Sequence, residues 1–595
     1  MTPPTPAAPE PVPSHTIAGV KPPEIKEFTP RAVITAIGVA TVIGASYPYI
    51  VMKLGFGPNI SVVSAFFGFI ALGFASKSYN RWENNIVQTA GTSAGQVAFC
   101  CIVMAAFDLL RQDPTVTVHV PTLTGLQWFM WLTAAGVLGV FLSVPMRQHF
   151  VVDEKLTFAD GVAAGETLIV LDSKGAESRE AARSLAAGGV LSGLVMIFRE
   201  DARLLAAAWY RIPEKLALGA TGAAMNVGLS WSLLNMGSGM LVGMRINTSM
   251  LIGTIAAWVI APPLLLQSGD VPHMVRREML FWVMWPGVGI LIAGGLTAMA
   301  LRWKSLVSTF KNLSGAKIGA GDFPIKWVVW GSIVSAAALV VVQKSILNLP
   351  VLYTVLAIVL SIPLMLVGIR VLGETNWGPI STLANMMQAL FSVIAPGQII
   401  PSITSTGVTA SVASGSEGLM QDYKTGYMIG STPRYLTYMQ LIAVPVGAAT
   451  VSYVYPLLAR TYGLGGDNGL QAPISQRFVG FATLLSRGIG ALPHGALQAL
   501  LVASVVGVAL TLLEETRFRK WVPSPTGIGI GVLVPGSAIV SMFVGGLIAE
   551  FWRMLNPKQY ELHVTPLASG LIAGEAIVAV VIPILVAIGI VHLQP

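Results

Sequence analysis

The sequence predicts an all-α, polytopic integral membrane protein of about 14 to 17 transmembrane helices, with an internal two-fold repeat and broken or re-entrant helices. Three observations carry this prediction. Hydrophobic residues make up 54% of the 595 residues and charged residues only 11%, with a mean hydropathy of +0.71; soluble domains carry about 25% charge. Apolar runs of spanning length recur along the chain. Short motifs return in the same order in its two halves. The 62 glycines suit close helix packing in a membrane. The net charge of +8 is what basic cytoplasmic loops leave behind, and it does not point to nucleic acid. Cys100 and Cys101 are adjacent in an apolar run, so a disulfide framework is excluded and buried thiols are expected.

Residues 1–30 are polar and proline-rich and are expected to form a disordered cytoplasmic tail. The first transmembrane half, 31–301, starts with spans at 32–52, 58–76, 83–110 and 123–145. Basic residues alternate around these spans as expected for a cytoplasmic N-terminus: Lys21, Lys26 and Arg31 before the first, Lys77 and Arg81 after the second, Arg147 after the fourth. Residues 150–170 are too mixed to face lipid, and Thr157, Asp160 and Glu166 suit a broken helix packed inside protein. Further spans fall at 185–198, 218–243, 246–266 and 278–301. A basic loop at 302–326 is assigned to the cytoplasm. The second half, 327–595, carries spans at 327–344, 351–370, 379–397, 404–430, 436–458, 494–513, 524–550 and 567–592; no span is assigned in 461–493, whose glycine-rich 462–469 is expected to be an exposed loop.

Two stretches stand out by polarity. In 405–435, hydroxylated and small residues precede Glu417, Asp422 and Lys424. Read as a helix, it places Thr406, Ala410, Ser414, Glu417, Gln421 and Lys424 on one face. Each charge at membrane depth costs roughly 2.5–3.5 kcal/mol on insertion scales, so such a face turns toward water, cargo or a polar partner, or else sits at the membrane edge. In 83–100, Asn85, Gln88, Thr92 and Gln96 form a second stripe. The candidate path residues are Asn85, Gln88, Thr89, Thr92 and Gln96, with Thr409, Ser411, Ser414, Ser416, Gln421 and Lys424. Glu417, Asp422 and Glu575, the last about a third of the way into the final span, are candidates for proton coupling. The repeat sets Ile60-Ser61 against Ile380-Ser381 and Thr89-Ala90 with Gly95 against Thr409-Ala410 with Gly415. Leu126-Gln127 is set beside Leu497-Gln498, and 157–161 beside 524–527. Repeats with broken, small-residue helices in matching places mark secondary carriers, whose cargo site lies at the repeat interface.

The blocks ENNIVQTA (83–90), VPMRQHFVVDEKLTFADG (144–161), LMQDYKTGYMIGSTPRY (419–435), WVPSPTGIGIGVLVP (521–535) and SGLIAGEAI (569–577) resemble the oligopeptide transporter (OPT) family, closest to its yellow stripe-like branch. The resemblance implies a many-span secondary active transporter that takes up small oligopeptides or peptide-like compounds, or their metal chelates, with a proton gradient as energy source and no cofactor. It also implies a multi-pass protein of the inner or plasma membrane. Self-association into a homo-oligomer is left open.

Rival classes are weaker. Gly319-Ala320-Gly321-Asp322 matches a string of intramembrane aspartyl proteases, but Asp322 lies in a lysine-rich loop with no partner aspartate motif. Neither a zinc motif nor a nucleotide-binding loop is present, so no metal site is assigned and ATP is not the direct energy source. A channel would need a filter ring, usually shared among subunits.

Overall fold

A computed structural model describes residues 19–590, except 55–56, 58–59, 76–78, 114–115, 117, 173–175, 200–211, 214, 302–322, 376–377, 466–468, 488–492, 517–520 and 588–589. The first half contains α1 (Pro30–Leu54), α2 (Ser61–Ala75), α3 (Arg81–Phe99), α4 (Cys101–Gln112), α5 (Gly125–Ser143), α6 (Ala159–Asp172) and α7 (Ala176–Phe198). A two-stranded hairpin, β1 (Lys215–Ala217) and β2 (Gly228–Ser230), encloses α8 (Gly219–Met225). Then come α9 (Leu233–Val242), α10 (Met244–Ile255), α11 (Ala261–Ser268) and α12 (Arg276–Leu301). The second half contains α13 (Ile325–Leu347), α14 (Val351–Thr375), α15 (Ile380–Ile394), α16 (Ile399–Ile429), α17 (Pro433–Tyr462) and α18 (Pro473–Arg487). It closes with α19 (Ala496–Glu514), α20 (Pro525–Leu533), α21 (Gly536–Leu555) and α22 (Pro557–Ala587). Among the described residues, twelve helices are long and apolar enough to cross a membrane, and three shorter apolar helices join them. Apolar side chains exposed on α13 (Trp327, Trp330, Val334, Val341) and α19 (Leu501, Val502, Val505) face outward, as a lipid-contacting surface requires.

Local chemistry sets the ends. Asn80 caps α3, accepting from the Glu83 N–H at 2.8 Å. Thr124 and Gln127 form a capping box on α5. Ser232 and Ser524 cap α9 and α20. Glycines in the left-handed region close α11 at Gly269 (φ 77°) and α16 at Gly430 (φ 81°).

Several expected spans are divided. The span at 218–243 is the hairpin, α8 and the half-length α9. Its sequence carries no charged residue, but Asn226 takes a left-handed turn (φ 58°) that stops the helix. The span at 524–550 breaks at Val534-Pro535 into α20 and α21, because proline cannot donate into a continuing helix. The region 461–493, where no span is expected, contains α18, with Phe478 and Ala482 in the core. The tail expected to be disordered is in part anchored: Gly19 N–H donates to Tyr427 O (2.8 Å), and Glu27 accepts from Thr432 N–H (3.0 Å). Residues 1–18, most of the basic loop and Gly319–Asp322 lie outside the described residues.

The repeat is visible in element order. The register that sets Ile60 against Ile380 also sets α1 on α14, α2 on α15, α3 on the start of α16, α5 on α17 and α7 on α19. In the last part the packing repeats: α7 pairs with α22 as α19 pairs with α12, and α9 packs on α21 and α22 as α20 packs on α10 and α12. Leu126-Gln127 and Leu497-Gln498 open α5 and α19, which do not hold equivalent places in this register; their match is coincidental. The same register sets 157–161, at the start of α6, beside α18 rather than beside 524–527 at the start of α20.

In space the halves interleave into two bodies. One is built from α1–α6 with α13–α18, the other from α7–α12 with α19–α22. They meet where α22 packs on α1, α2 and α17, where α12 packs on α15, and where α7 packs on α2 and α6.

Glycine-mediated crossings hold the second body. A Cβ on Gly239 would meet the Met542 carbonyl, and one on Gly545 would meet the Met236 backbone. Backbone cannot yield as a side chain can, and overpacking costs about 1–3 kcal/mol or more. Gly239→Val should therefore lower the melting temperature of the detergent-solubilised protein, while Gly38→Ala, which meets nothing within 4 Å, should leave it unchanged.

Candidate functional site

Helix α16 is the axis of the first body. It is 31 residues long and buried almost throughout, with α3, α5, α6, α14 and α15 packed around it. Part of its polarity is satisfied within the helix: Thr404, Thr406 and Ser416 hydroxyls donate to carbonyls four residues back. Other groups reach neighbours. Thr409 pairs with Ser361 of α14 at 2.9 Å, Ser411 donates to Cys100 Sγ at 3.2 Å, and Ser414 donates to Gln96 O at 3.1 Å.

The two polar stripes meet at the crossing of α3 and α16. Gln88 Nε2 donates to Asp422 Oδ1 and to Thr92 Oγ1, at 2.7 and 2.9 Å. Gln440 of α17 donates to the other Asp422 oxygen at 2.7 Å. Asn85 donates to Ser431 at 2.8 Å, and Thr92 reaches Ser61 at 3.4 Å. Thr89 Oγ1 and Ser93 Oγ are buried with no hydrogen-bond partner. A small cavity beside the crossing, lined by Ser93, Gln96, Ser411, Gly415 and Gln440 among others, has room for about one water molecule. The crossing is therefore closed, with its polar groups turned on each other.

The expected single face Ser414–Glu417–Gln421–Lys424 does not meet α3 as a unit. Of these four, Ser414 bonds α3, and Asp422, off this face, makes the other α16 hydrogen bond to it. Gln421 reaches Asp160 of α6 at 3.4 Å, and Lys424 donates to Leu156 O at 2.8 Å. Glu417 points to Gly368 of α14 and to Gly378, where any Cβ would strike its carboxylate. It is 3% exposed, and its Oε1 has no hydrogen-bond partner. The face divides because α16 is enclosed on all sides, so residues at helical spacing meet different helices.

Glu575 lies in the second body, away from this crossing. It pairs with Arg199 at 2.9 Å and Lys53 at 3.2 Å, accepts from Ser232 Oγ at 2.8 and 2.9 Å, and accepts the Leu234 N–H at the start of α9 at 3.0 Å. This cluster ties α1, α7, α9 and α22 together, so it bridges the two bodies. Sequence reasoning missed Arg199, Lys53 and Gln440 as partners, and no local pattern links Glu575 to cations 376 and 522 residues away.

Removing one member of a buried pair costs about 3–5 kcal/mol, because the other charge is stranded. Glu575→Gln should destabilise the protein strongly in thermal unfolding. Combining it with Arg199→Met should recover part of that loss, because one stranded charge is then removed as well.

Comparison with known proteins agrees with this architecture. The family model described as OPT oligopeptide transporter protein matches residues 27–586. A protein of Oryza sativa subsp. japonica named for metal-nicotianamine transport, YSL9, is 24% identical over 625 residues, covering 93% of this chain and 88% of the relative. YGL114W of Saccharomyces cerevisiae, named for oligopeptide transport, is 23% identical and covers 96% of this chain and 97% of its own. A Haemophilus influenzae protein named for oligopeptide transport is 24% identical, with 91% and 92% covered. A predominantly helical, many-span architecture and a family match over nearly its whole length lead to one conclusion: this chain belongs to the OPT oligopeptide transporter family.

Proposed function

We propose that this transporter carries a small oligopeptide or peptide-like compound into the cell across the inner or plasma membrane, with protons, and with its N-terminus in the cytoplasm. The observation that carries proton coupling is Glu417: a carboxylate buried in the middle of α16, against two glycines, with one oxygen unpartnered and no cation beside it among the described residues. Burying a charge without a counter-charge is costly, and a proton delivered to Glu417 removes it. Asp422 also has no cation beside it among the described residues, but two amides hold it. Glu575 is counter-charged by Arg199 and Lys53, so it is assigned to holding the bodies together rather than to proton carriage. The amides and hydroxyls at the α3–α16 crossing supply donors and acceptors for peptide groups once the crossing opens. The alternation of basic residues around the early spans supports the orientation. A metal chelate is the second reading, favoured by the relatives named for metal-nicotianamine transport.

Reconstituted protein should accumulate peptides from a panel with saturation, faster with an inward proton gradient and slower as external pH rises. Uptake of an iron–nicotianamine complex in place of every peptide would select the second reading; unsaturable ion conduction would reject both. Glu417→Gln should reduce gradient-driven uptake by about tenfold or more and flatten its pH dependence, with folding intact. If uptake and pH profile are unchanged, the proton role passes to Asp422.

A thiol replacing Ser414 or Thr92 tests the path. Both positions are sealed in this closed arrangement. Labelling by a small water-soluble thiol reagent should therefore be slow at rest and faster during turnover. Positions that stay unreactive from both sides during turnover would make the crossing a packing contact.

A further inference from the structure

The seam between the two bodies contains a cation for which the transport reading above has no use. Arg477, on α18, is 5% exposed, and its Nε and Nη2 have no hydrogen-bond partner. Among the described residues no carboxylate stands within ion-pair distance of it. An arginine fork sealed without an anion is costly, so a site that keeps one is arranged for an anion that arrives from elsewhere.

The surroundings are consistent with that. Helix α12 of the second body runs beside α18 of the first. Arg276, at the start of α12, donates to Gln471 just before α18 at 3.1 Å, and Met284 lies where a Cβ on Gly480 would be. Arg477 lies along α18 between these two contacts. It is three residues from Gly480 and so on the side of α18 that faces α12. Arg276, itself stacked over Trp258 at 5.0 Å, is a second guanidinium at the same seam. The third wall is α15, which packs on both α12 and α18. Its Gln388 donates to Phe478 O, next to Arg477, at 2.9 Å. The Asn385 and Gln388 side-chain oxygens on α15 are buried acceptors with no donor. A guanidinium with unpaired N–H groups and amide oxygens lacking donors are thus carried by helices that pack on one another. A peptide terminus, which offers a carboxylate and an adjacent N–H, supplies what each lacks.

We propose that the α12–α15–α18 seam is the carboxylate-binding site for the cargo, with Arg477 as its principal ligand, Arg276 as the second cation, and Asn385 and Gln388 accepting the cargo's N–H groups. The proposal rests on the carrier reading and adds the recognised group. It also places the cargo between the two bodies, where their relative movement would expose it to either side in turn.

The test uses the full-length protein in nanodiscs, with trialanine and trialanine amide as probes. Wild type should bind the acid about tenfold or more tightly than the amide, because a charged bidentate pair is lost with amidation. Arg477→Gln should weaken acid binding to the level of the amide and leave amide binding unchanged. Arg477→Lys, which keeps the charge and loses the fork, should fall between them. Because Arg477→Gln removes an unpaired buried charge, its thermal unfolding should be no lower than wild type; if it does not fold, Arg477→Lys carries the test. Equal binding of acid and amide by wild type, or full discrimination retained in both variants, overturns the site and leaves the carrier reading standing. If wild type binds neither probe, the peptide reading fails; the site then stands only if Arg477→Gln weakens binding of an iron–nicotianamine complex by a similar factor. A phospholipid that co-purifies with wild type in native mass spectrometry and is lost in Arg477→Gln, with trialanine affinity unchanged, would make this a lipid-phosphate site and overturn the proposal.

Discussion

The structure depends on enclosing one polar helix. Helix α16 carries an acid, an amide, an acid and a lysine within two turns, preceded by a run of hydroxyls, and none of these can face hydrocarbon. The rest of the first body answers that requirement. α3 supplies Gln88, Asn85 and Gln96, α17 supplies Gln440, α14 supplies Ser361, and the segment before α6 supplies the Leu156 carbonyl. Glycines at 368 and 378 leave the space that Glu417 fills. Those choices make sense only with α16 in place, and α16 is tolerable only with them around it.

Three buried carboxylates are compensated in three ways. Asp422 receives two amide donors and, among the described residues, no cation. Glu575 receives two cations, a hydroxyl and a backbone N–H. Glu417 has one oxygen with nothing. Full charge compensation suits a fixed structural tie, and the Glu575 cluster joins helices of both bodies. Incomplete compensation suits a group whose charge changes during the cycle. Arg477 is the cationic counterpart of Glu417, buried at the seam with no acid paired to it among the described residues.

Interleaving gives the protein two bodies that each draw on both repeats. Half-helices α9 and α20 cross into the packing of the opposite repeat through glycine contacts, which fix the second body tightly. Between the bodies the polar ties include the Glu575 cluster, the Arg276–Gln471 bond and the bond from the Tyr462 hydroxyl to the Ala579 carbonyl. Two bodies that meet through a limited set of helix contacts are the arrangement expected where movement exposes cargo alternately to each side.

The sequence by itself determined the class, most span positions, the first-half repeat register and the two stripes that meet at α3 and α16. Hydropathy and helical spacing are local properties, and composition carries them directly. Tertiary structure decided what hydropathy cannot encode. It broke 218–243 and 524–550, because a left-handed asparagine and a proline interrupt runs that remain apolar on both sides of the break. It made a helix of 473–487, whose glycine-rich approach reads as loop until its apolar face finds the core. It divided the 414–424 face among three neighbours, since spacing tells which residues share a side of a helix and not how many partners that side has. It also gave Glu575 its two cations from residues 376 and 522 positions away in the chain, and left Arg477 with no acid paired to it among the described residues; both outcomes depend on which distant helices pack together.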